Sequence, residues 1–204
     1  MGLGGGWTEW DEYEWVRLPD LPEPTASAAP GDALAEALIA WFVRHPVWAD
    51  DGATRILLAD LDNLRADPVR WRARMAVIVM LARQADHVVI AGQYGAVARA
   101  RPHLAEFSDT AQGVPDGSDV ADHALLDGAA AVLAGDQAVP VHGADVLVIS
   151  NDGIFAALAA TGRLTVLSPG GDALSDRLRD AAANVVDLAA LEEHASSPAR
   201  TARR

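Results

Sequence analysis

Three stretches of the sequence are rich in aspartate, and two of them lie where an apolar run ends. The runs ILLAD and VLVIS lead into polar residues, and a helix-like stretch between them carries the third group. The acids, with the amide and hydroxyl residues beside them, are Asp60, Asp62, Asn63, Asp119, Asp122, Asp127, Ser150 and Asp152. Converging carboxylates repel one another unless a cation lies between them, and hard divalent cations prefer oxygen ligands. The pattern predicts a Mg²⁺ or Mn²⁺ site.

Most of these aspartates also have a structural interpretation. Asp152 stands where a helix N-cap is needed, a role that stabilises a helix by about 1 kcal/mol. Ser118 or Asp119 can cap the next helix upstream, with Asp122 complementing the helix dipole in its first turn. Asp62 with Asn63 suits a turn. Asp60 differs, because it continues a strongly apolar strand and its burial is costly unless the carboxylate is paired or metal-bound.

The elements that position these acids alternate between strands and helices. Five apolar stretches favour strands, and helices of ten or more residues are predicted between most of them. The predicted strands cover residues 54–60, 87–92, 144–150, 163–168 and 184–188, and residues 109–117 are interpreted as a linker. This pattern indicates an α/β fold with three α/β/α layers around a mostly parallel sheet of about five strands. In such sheets the carboxyl ends of the strands form the ligand crevice, which is where Asp60 and Asp152 fall.

The domain boundaries follow from composition. Residues 1–30 are rich in Trp, Pro and acids and are predicted to form an extension. Residues 31–192 are predicted to form one domain, with a leading helix at 31–45, and residues 193–204 a disordered tail. The extension is a candidate contact for a protein partner through Trp7, Trp10 and Trp15, since aromatic residues dominate interface energetics.

Composition narrows the classes of function. The net charge is −13, which opposes non-specific binding to long nucleic acids, and cysteine is absent, which excludes disulfides and thiolate zinc sites. The sixteen cations are all arginines, and those in the stretches that contain Arg65, Arg70 and Arg99 could form a local basic rim suited to phosphate groups. No apolar run is long enough for a membrane span, and the N-terminal residues are acidic where a secretory signal is basic, so a cytoplasmic protein is expected.

Taken together, the motifs resemble the PIN-like nuclease superfamily, and within it the NYN group. ADLDNL resembles the first strand end of that family, DHALLD its acidic helix, and ISNDGIF its later SGDGDF motif. The resemblance covers residues 54–191. Two positions depart from the family pattern: Ile154 replaces the second acid of SGDGDF, and Ala121 precedes the helical acid. Asp62 or Asp119 is a candidate to replace the missing carboxylate.

The resemblance implies a metal-dependent ribonuclease acting on single-stranded or structured RNA. Mg²⁺ or Mn²⁺ would be held by Asp60, Asp122 and Asp152, with Asp62 as a further metal ligand, and would activate a water for attack on a phosphodiester. The supporting residues would be Asn63, Ser150, Asp119 and Asp127. A homodimer is a further expectation.

Two other functions remain open at this point. A PIN-like domain that has lost activity would serve as a binding or assembly module, as the Ile154 substitution and the Trp-bearing extension suggest. DLDN also resembles the opening of haloacid dehalogenase-type phosphatases, with Asp60 as nucleophile and Asp62 as general acid. The hydroxyl residue expected after that motif and the usual lysine are both missing here.

Overall fold

Six stretches rich in valine, isoleucine, leucine and alanine form β-strands in the computed structural model, which describes residues 30–49, 52–135 and 143–197. The strands are β1 Thr54–Asp60, β2 His87–Gln93, β3 Ala111–Val114, β4 Ala144–Ile149, β5 Gly162–Ser168 and β6 Asn184–Asp187. They form one sheet in the order β3-β2-β1-β4-β5-β6, and all five neighbouring pairs are parallel. The chain thus builds outward from β1 to β3 and then returns to the centre at β4.

Helices connect the strands and cover both faces of the sheet. The α-helices are α1 Pro30–Arg44, α2 Pro68–Ala82, α3 Tyr94–Ala100, α4 Val120–Ala134, α5 Asp176–Ala181 and α6 Leu188–Ser196. Shorter 3-10 segments are Arg101–His103, Ala105–Phe107, Gly153–Thr161 and Gly171–Ala173. The α/β class and the three-layer arrangement predicted from the sequence are confirmed. None of the helices in these described ranges is long and apolar enough to cross a membrane.

Alternation along β1 divides the core into two layers. Leu57 and Ala59 pack in the layer that contains α1, α2, α3 and α6, whereas Ile56 and Leu58 pack against α4, α5 and the segment Gly153–Thr161. Successive side chains of a strand point to opposite faces. Asp60 lies two residues after Leu58, so its side chain points to the same face of the sheet, toward the layer of α4.

A glycine brings α4 close to the sheet. A Cβ atom at Gly128 would lie 2.6 Å from Cγ1 of Val89 on β2, closer than real Cβ contacts allow. A side chain at this position would push the helix outward. Gly128 therefore sets the depth at which the first turn of α4, with Asp122, meets the sheet edge.

The strand count and the C-terminal boundary differ from the sequence prediction. The sheet has six strands and not about five, because residues 111–114 of the predicted linker pair with β2 as a short edge strand. Residues 188–196 form α6, so the first four residues of the predicted tail are helical. The remaining tail residues 198–204 and extension residues 1–29 lie outside the described ranges.

A buried ion pair fastens α6 to α2. Arg74, 4% exposed, donates from Nε and Nη2 to the two carboxylate oxygens of Glu192 at 2.6 and 2.9 Å, and Glu192 is fully buried. Nη2 also donates to the carbonyl of Pro169 at 2.9 Å, beyond the end of β5. Two parallel bonds of this kind give a guanidinium–carboxylate pair its geometric specificity.

Breaking this pair is expected to destabilise the fold strongly. Glu192→Gln leaves the Arg74 guanidinium buried without its counter-charge, which costs about 3–5 kcal/mol. Urea unfolding followed by circular dichroism measures the loss. Glu193→Gln, at the exposed neighbouring position, is the matched control and should change stability by less than about 0.5 kcal/mol. Equal stability of the two variants would contradict the assignment.

Candidate metal centre

The acids gather where the strand order reverses. β1 lies between β2 and β4, so the chain leaves β1 in one direction along the sheet and leaves β4 in the other. The crevice at such a switch point, outside the carboxyl ends of the strands, is where ligands bind in open α/β sheets. Asp60 ends β1, and Ser150 and Asp152 follow β4 directly.

Asp60 connects the two central strands through its carboxylate. It is 1% exposed, and its Oδ2 accepts from Ser150 Oγ at 3.0 Å and from the Asn63 side-chain amide. Its Oδ1 accepts from the backbone N–H of Asp62 at 3.0 Å. The Ser150 hydroxyl in turn accepts from the backbone N–H of Asp152 at 3.2 Å. Asn63 and Ser150 thus both hold Asp60, and the Asp60 network also fixes the turn that carries Asp152.

Three other carboxylates converge in front of this network. One oxygen each from Asp119, Asp122 and Asp152 lies within 4.8 Å of the others. Asp122 is 8% exposed, Asp152 is half-buried and Asp119 is exposed, so the group opens toward solvent on the Asp119 side. Asp119 takes the position in this trio that the sequence analysis gave to Asp60, and Asp60 lies beside the trio with its oxygens engaged by Ser150 and Asn63.

The local backbone explains how Asp119 and Asp152 reach this place. Asp119 precedes α4 with a φ of 60°, a left-handed conformation that aspartate tolerates better than most residues. Its carboxylate does not cap the helix and accepts from Ser118 Oγ instead. Asp152 does cap the segment Gly153–Thr161, since Oδ1 accepts from the N–H of Ile154 at 2.9 Å. Asp152 is therefore both the N-cap of this segment and a member of the trio.

The close approach of the acids changes the ionisation of Asp122. Burial, together with the nearby carboxylates of Asp60, Asp152 and Asp119, raises the pKa of Asp122 to about 7, whereas His123 opposes the change. Burial also raises the pKa of Asp60, against the lowering effect of its hydrogen bonds from Asn63 and Ser150. The trio thus carries excess negative charge that a proton or a cation relieves.

The donor set suits a hard divalent cation. All ligand atoms are carboxylate oxygens, the type that Mg²⁺, Mn²⁺ and Ca²⁺ prefer. Two oxygens bound to one Mg²⁺ lie at most about 4.2 Å apart, twice the usual bond length of about 2.1 Å. Oxygens within 4.8 Å of one another need to move by less than about 1 Å to meet this limit, and Asp119, on an exposed turn, is the residue free to move.

Besides Asp60, two more of the predicted acids lie outside the trio. Asp62 turns toward β2, where its Oδ2 accepts from the backbone N–H of Gln93 at 2.9 Å, and its Oδ1 is buried with no hydrogen-bond partner among the described residues. Asp127 is exposed, more than one turn further along α4 than Asp122. The orientation of Asp62 toward Gln93 does not favour the phosphatase alternative, which needs its carboxyl group beside the Asp60 nucleophile.

The predicted arginines lie mainly on the other side of the sheet. Arg99 stacks over Trp71 of α2, with 4.0 Å from the guanidinium carbon to the ring centroid. Arg70 has ion-pair distances of 3.7 Å to Asp67 and 3.8 Å to Glu192. Arg65 is exposed in the loop after β1, close in sequence to Asn63. Of these three, Arg65 is nearest in the chain to the acids.

Sequence reasoning missed a cation beside the trio. Arg177, in the first turn of α5, lines a pocket together with Asp152 and Ile154. Its guanidinium has no ion pair among the residues the structure describes, and its side chain is exposed. The sequence offers little signal for it, because residues 170–177 follow β5 and approach the end of β4 only in three dimensions.

Comparisons of the chain with protein-family models, curated proteins and solved structures give no match.

The raised pKa of Asp122 predicts how stability depends on pH without metal. The ordinary pKa of 3.8 applies in the unfolded chain and a value of about 7 in the folded one, so the folded state binds the proton more tightly. This contribution to stability is complete below pH 4 and is lost as pH rises to about 7. Asp122→Asn cannot ionise and should exceed wild type in stability at pH 8, by on the order of 1–3 kcal/mol.

Urea unfolding in chelator at pH 4, 6 and 8 measures this difference. Wild type and Asp122→Asn should approach each other in stability at pH 4 and diverge as pH rises. A constant difference between the two proteins across the three pH values would contradict the clustering of ionised carboxylates around Asp122.

Proposed function

We propose that this chain is a metal-dependent ribonuclease whose reaction centre is the trio Asp119, Asp122 and Asp152. The observation that carries the proposal is the convergence of these carboxylates at the switch point of a parallel sheet. The proposal of RNA as substrate, single-stranded or structured, is supported by the resemblance of ADLDNL, DHALLD and ISNDGIF to the PIN-like NYN motifs.

The trio would hold Mg²⁺ or Mn²⁺. When bound, such a cation lowers the pKa of a water and neutralises charge that develops on phosphoryl oxygens. Because the pKa of Asp122 is about 7, a cation bound by the trio near neutral pH would displace the proton of Asp122. Metal binding should therefore release a proton from the protein below pH 7 and much less above it.

The remaining side chains position the ligands. Ser150 and Asn63 fix the Asp60 carboxylate in its buried place, and the bond from Asp152 N–H to Ser150 Oγ holds the turn after β4. An ionised Asp60 next to the trio would add to the negative charge that favours cation binding. Because these groups are hydrogen-bonded before ligand arrives, little reorganisation is needed at the moment of reaction.

An inactive assembly module is the second candidate, and one observation favours it. Ile154 occupies the position where the resembled motif has an acid, and it lines the pocket beside Asp152. A carboxylate missing from this place leaves fewer ligands for a second cation. A module of this kind would bind metal or RNA without cleaving the RNA, so the same experiment separates the two functions.

Removal of one ligand of the trio should weaken metal binding. We expect Asp122→Asn to weaken Mn²⁺ and Mg²⁺ binding by calorimetry at pH 8 at least about tenfold, the scale at which changes near metal ligands act. Cleavage of a labelled single-stranded RNA in the same buffers should fall in parallel. Repeating the titration in buffers of different ionisation enthalpy counts the protons released, which should be more numerous at pH 6 than at pH 8.5.

Asp109→Asn is the matched control, since Asp109 is exposed on the turn that precedes the edge strand β3 and belongs to neither the trio nor the Asp60 network. This variant should bind metal and cleave RNA as wild type does. Folded wild type that neither binds metal at millimolar concentration nor cleaves RNA would exclude the ribonuclease. Metal binding without cleavage would favour the assembly module.

A further inference from the structure

An open pocket of about 530 Å³ lies directly beside Asp152. It is lined by Asn151, Asp152, Gly153, Ile154, Ala173, Ser175 and Arg177. Binding sites for small molecules commonly have volumes of about 300–1,000 Å³, so the space suits one nucleotide. Because Asp152 belongs both to the pocket wall and to the carboxylate trio, a ligand in the pocket lies next to the proposed metal.

The pocket wall is built by close packing of two loops. The backbone N–H of Ser175 donates to the carbonyl of Asn151 at 3.0 Å, which joins the start of α5 to the turn after β4. A Cβ at Gly153 would lie 2.6 Å from the Ser175 hydroxyl oxygen and 3.3 Å from the Ser175 Cβ, so a side chain here would displace that hydroxyl and crowd the start of α5. Glycine at this position therefore lets the two loops pack closely along the pocket wall.

The polar groups of the pocket include donors for an anion. Asn151 Oδ1 accepts from Ser168 Oγ at 2.6 Å, which leaves its amide nitrogen as the donor. Ser175 adds a hydroxyl and Arg177 a guanidinium with no ion pair among the described residues. Guanidinium groups match the geometry of phosphate oxygens and bind them through two parallel hydrogen bonds.

The apolar side of the same pocket suits a ribose or base. Ile154 and Ala173 contribute this surface. An acid at position 154 would oppose a bound phosphate, whereas isoleucine leaves Arg177 as the dominant charge on that side of Asp152. The change that removes a carboxylate from the resembled motif thus makes the pocket more suitable for a nucleotide.

We propose that this pocket binds the nucleotide next to the cleaved phosphodiester, with Arg177 holding its phosphate group. The inference rests on the proposed ribonuclease function and names the residue that grips the RNA. It assigns to Arg177 the substrate contact that the sequence analysis gave to Arg65, Arg70 and Arg99.

Fluorescence anisotropy of a fluorescein-labelled single-stranded RNA hexamer, titrated in Ca²⁺ over a series of salt concentrations, tests the proposal. Arg177→Gln should weaken binding about tenfold at low salt and lower the slope of log affinity against log salt by about 0.7, the value for one phosphate contact on a single strand. Arg177→Lys keeps the charge and should retain the wild-type slope. Ile154→Asp should also weaken binding, because it places a carboxylate beside the bound phosphate.

Arg101→Gln is the matched control, because it makes the same change at an exposed arginine after α3. Thermal unfolding checks that each variant is folded. If Arg177→Gln keeps the wild-type affinity and slope, or if Arg101→Gln changes them equally, the pocket assignment is wrong. Cleavage by wild type in Mg²⁺ with an unaffected Arg177→Gln would overturn the pocket alone, whereas wild type that neither binds nor cleaves RNA would overturn both proposals.

Discussion

The buried carboxylate of Asp60 is the constraint on which the candidate site, at the carboxyl ends of the central strands, depends. It lies between the two central strands and accepts hydrogen bonds from residues that follow each of them. Through Ser150, the same network reaches the backbone of Asp152. A carboxylate that is 1% exposed is costly unless it is hydrogen-bonded. Asn63 and Ser150 are therefore needed to stabilise Asp60 itself, whether or not a ligand is bound.

The repulsion among the three carboxylates of the trio is a second electrostatic cost, and it follows from the way α4 packs on the sheet. Gly128 allows α4 to lie close to β2, and this approach carries Asp122 toward the end of β1. Burial and three neighbouring carboxylates then raise its pKa to about 7. Clustered carboxylates of this kind destabilise the folded protein when no ligand is bound. Destabilising arrangements of this type are concentrated at functional sites.

The sequence predicts the parts of this arrangement that depend on local pattern. Apolar strands, helix spacing and the placement of Asp60 and Asp152 at strand ends follow from periodicity, and the parallel sheet follows from those. The short edge strand β3 was missed because AQGV contains a glycine and few strand-forming residues. Helix α6 was missed because its Glu192 is buried only by pairing with Arg74, 118 residues away.

The sequence left Asp119 as one of two candidates for the missing carboxylate and gave little signal for Arg177, and the reason is different. The left-handed backbone at Asp119 decides where its carboxylate points, and a single sequence does not specify that conformation. Arg177 approaches Asp152 only because β5 lies beside β4 and the following loop folds back over the strand ends. The edge therefore places carboxylates on one side of Asp152 and a guanidinium on the other. Under the proposed function, a phosphodiester chain would lie across this edge, with its phosphates contacting the guanidinium on one side of Asp152 and a bound cation on the acidic side.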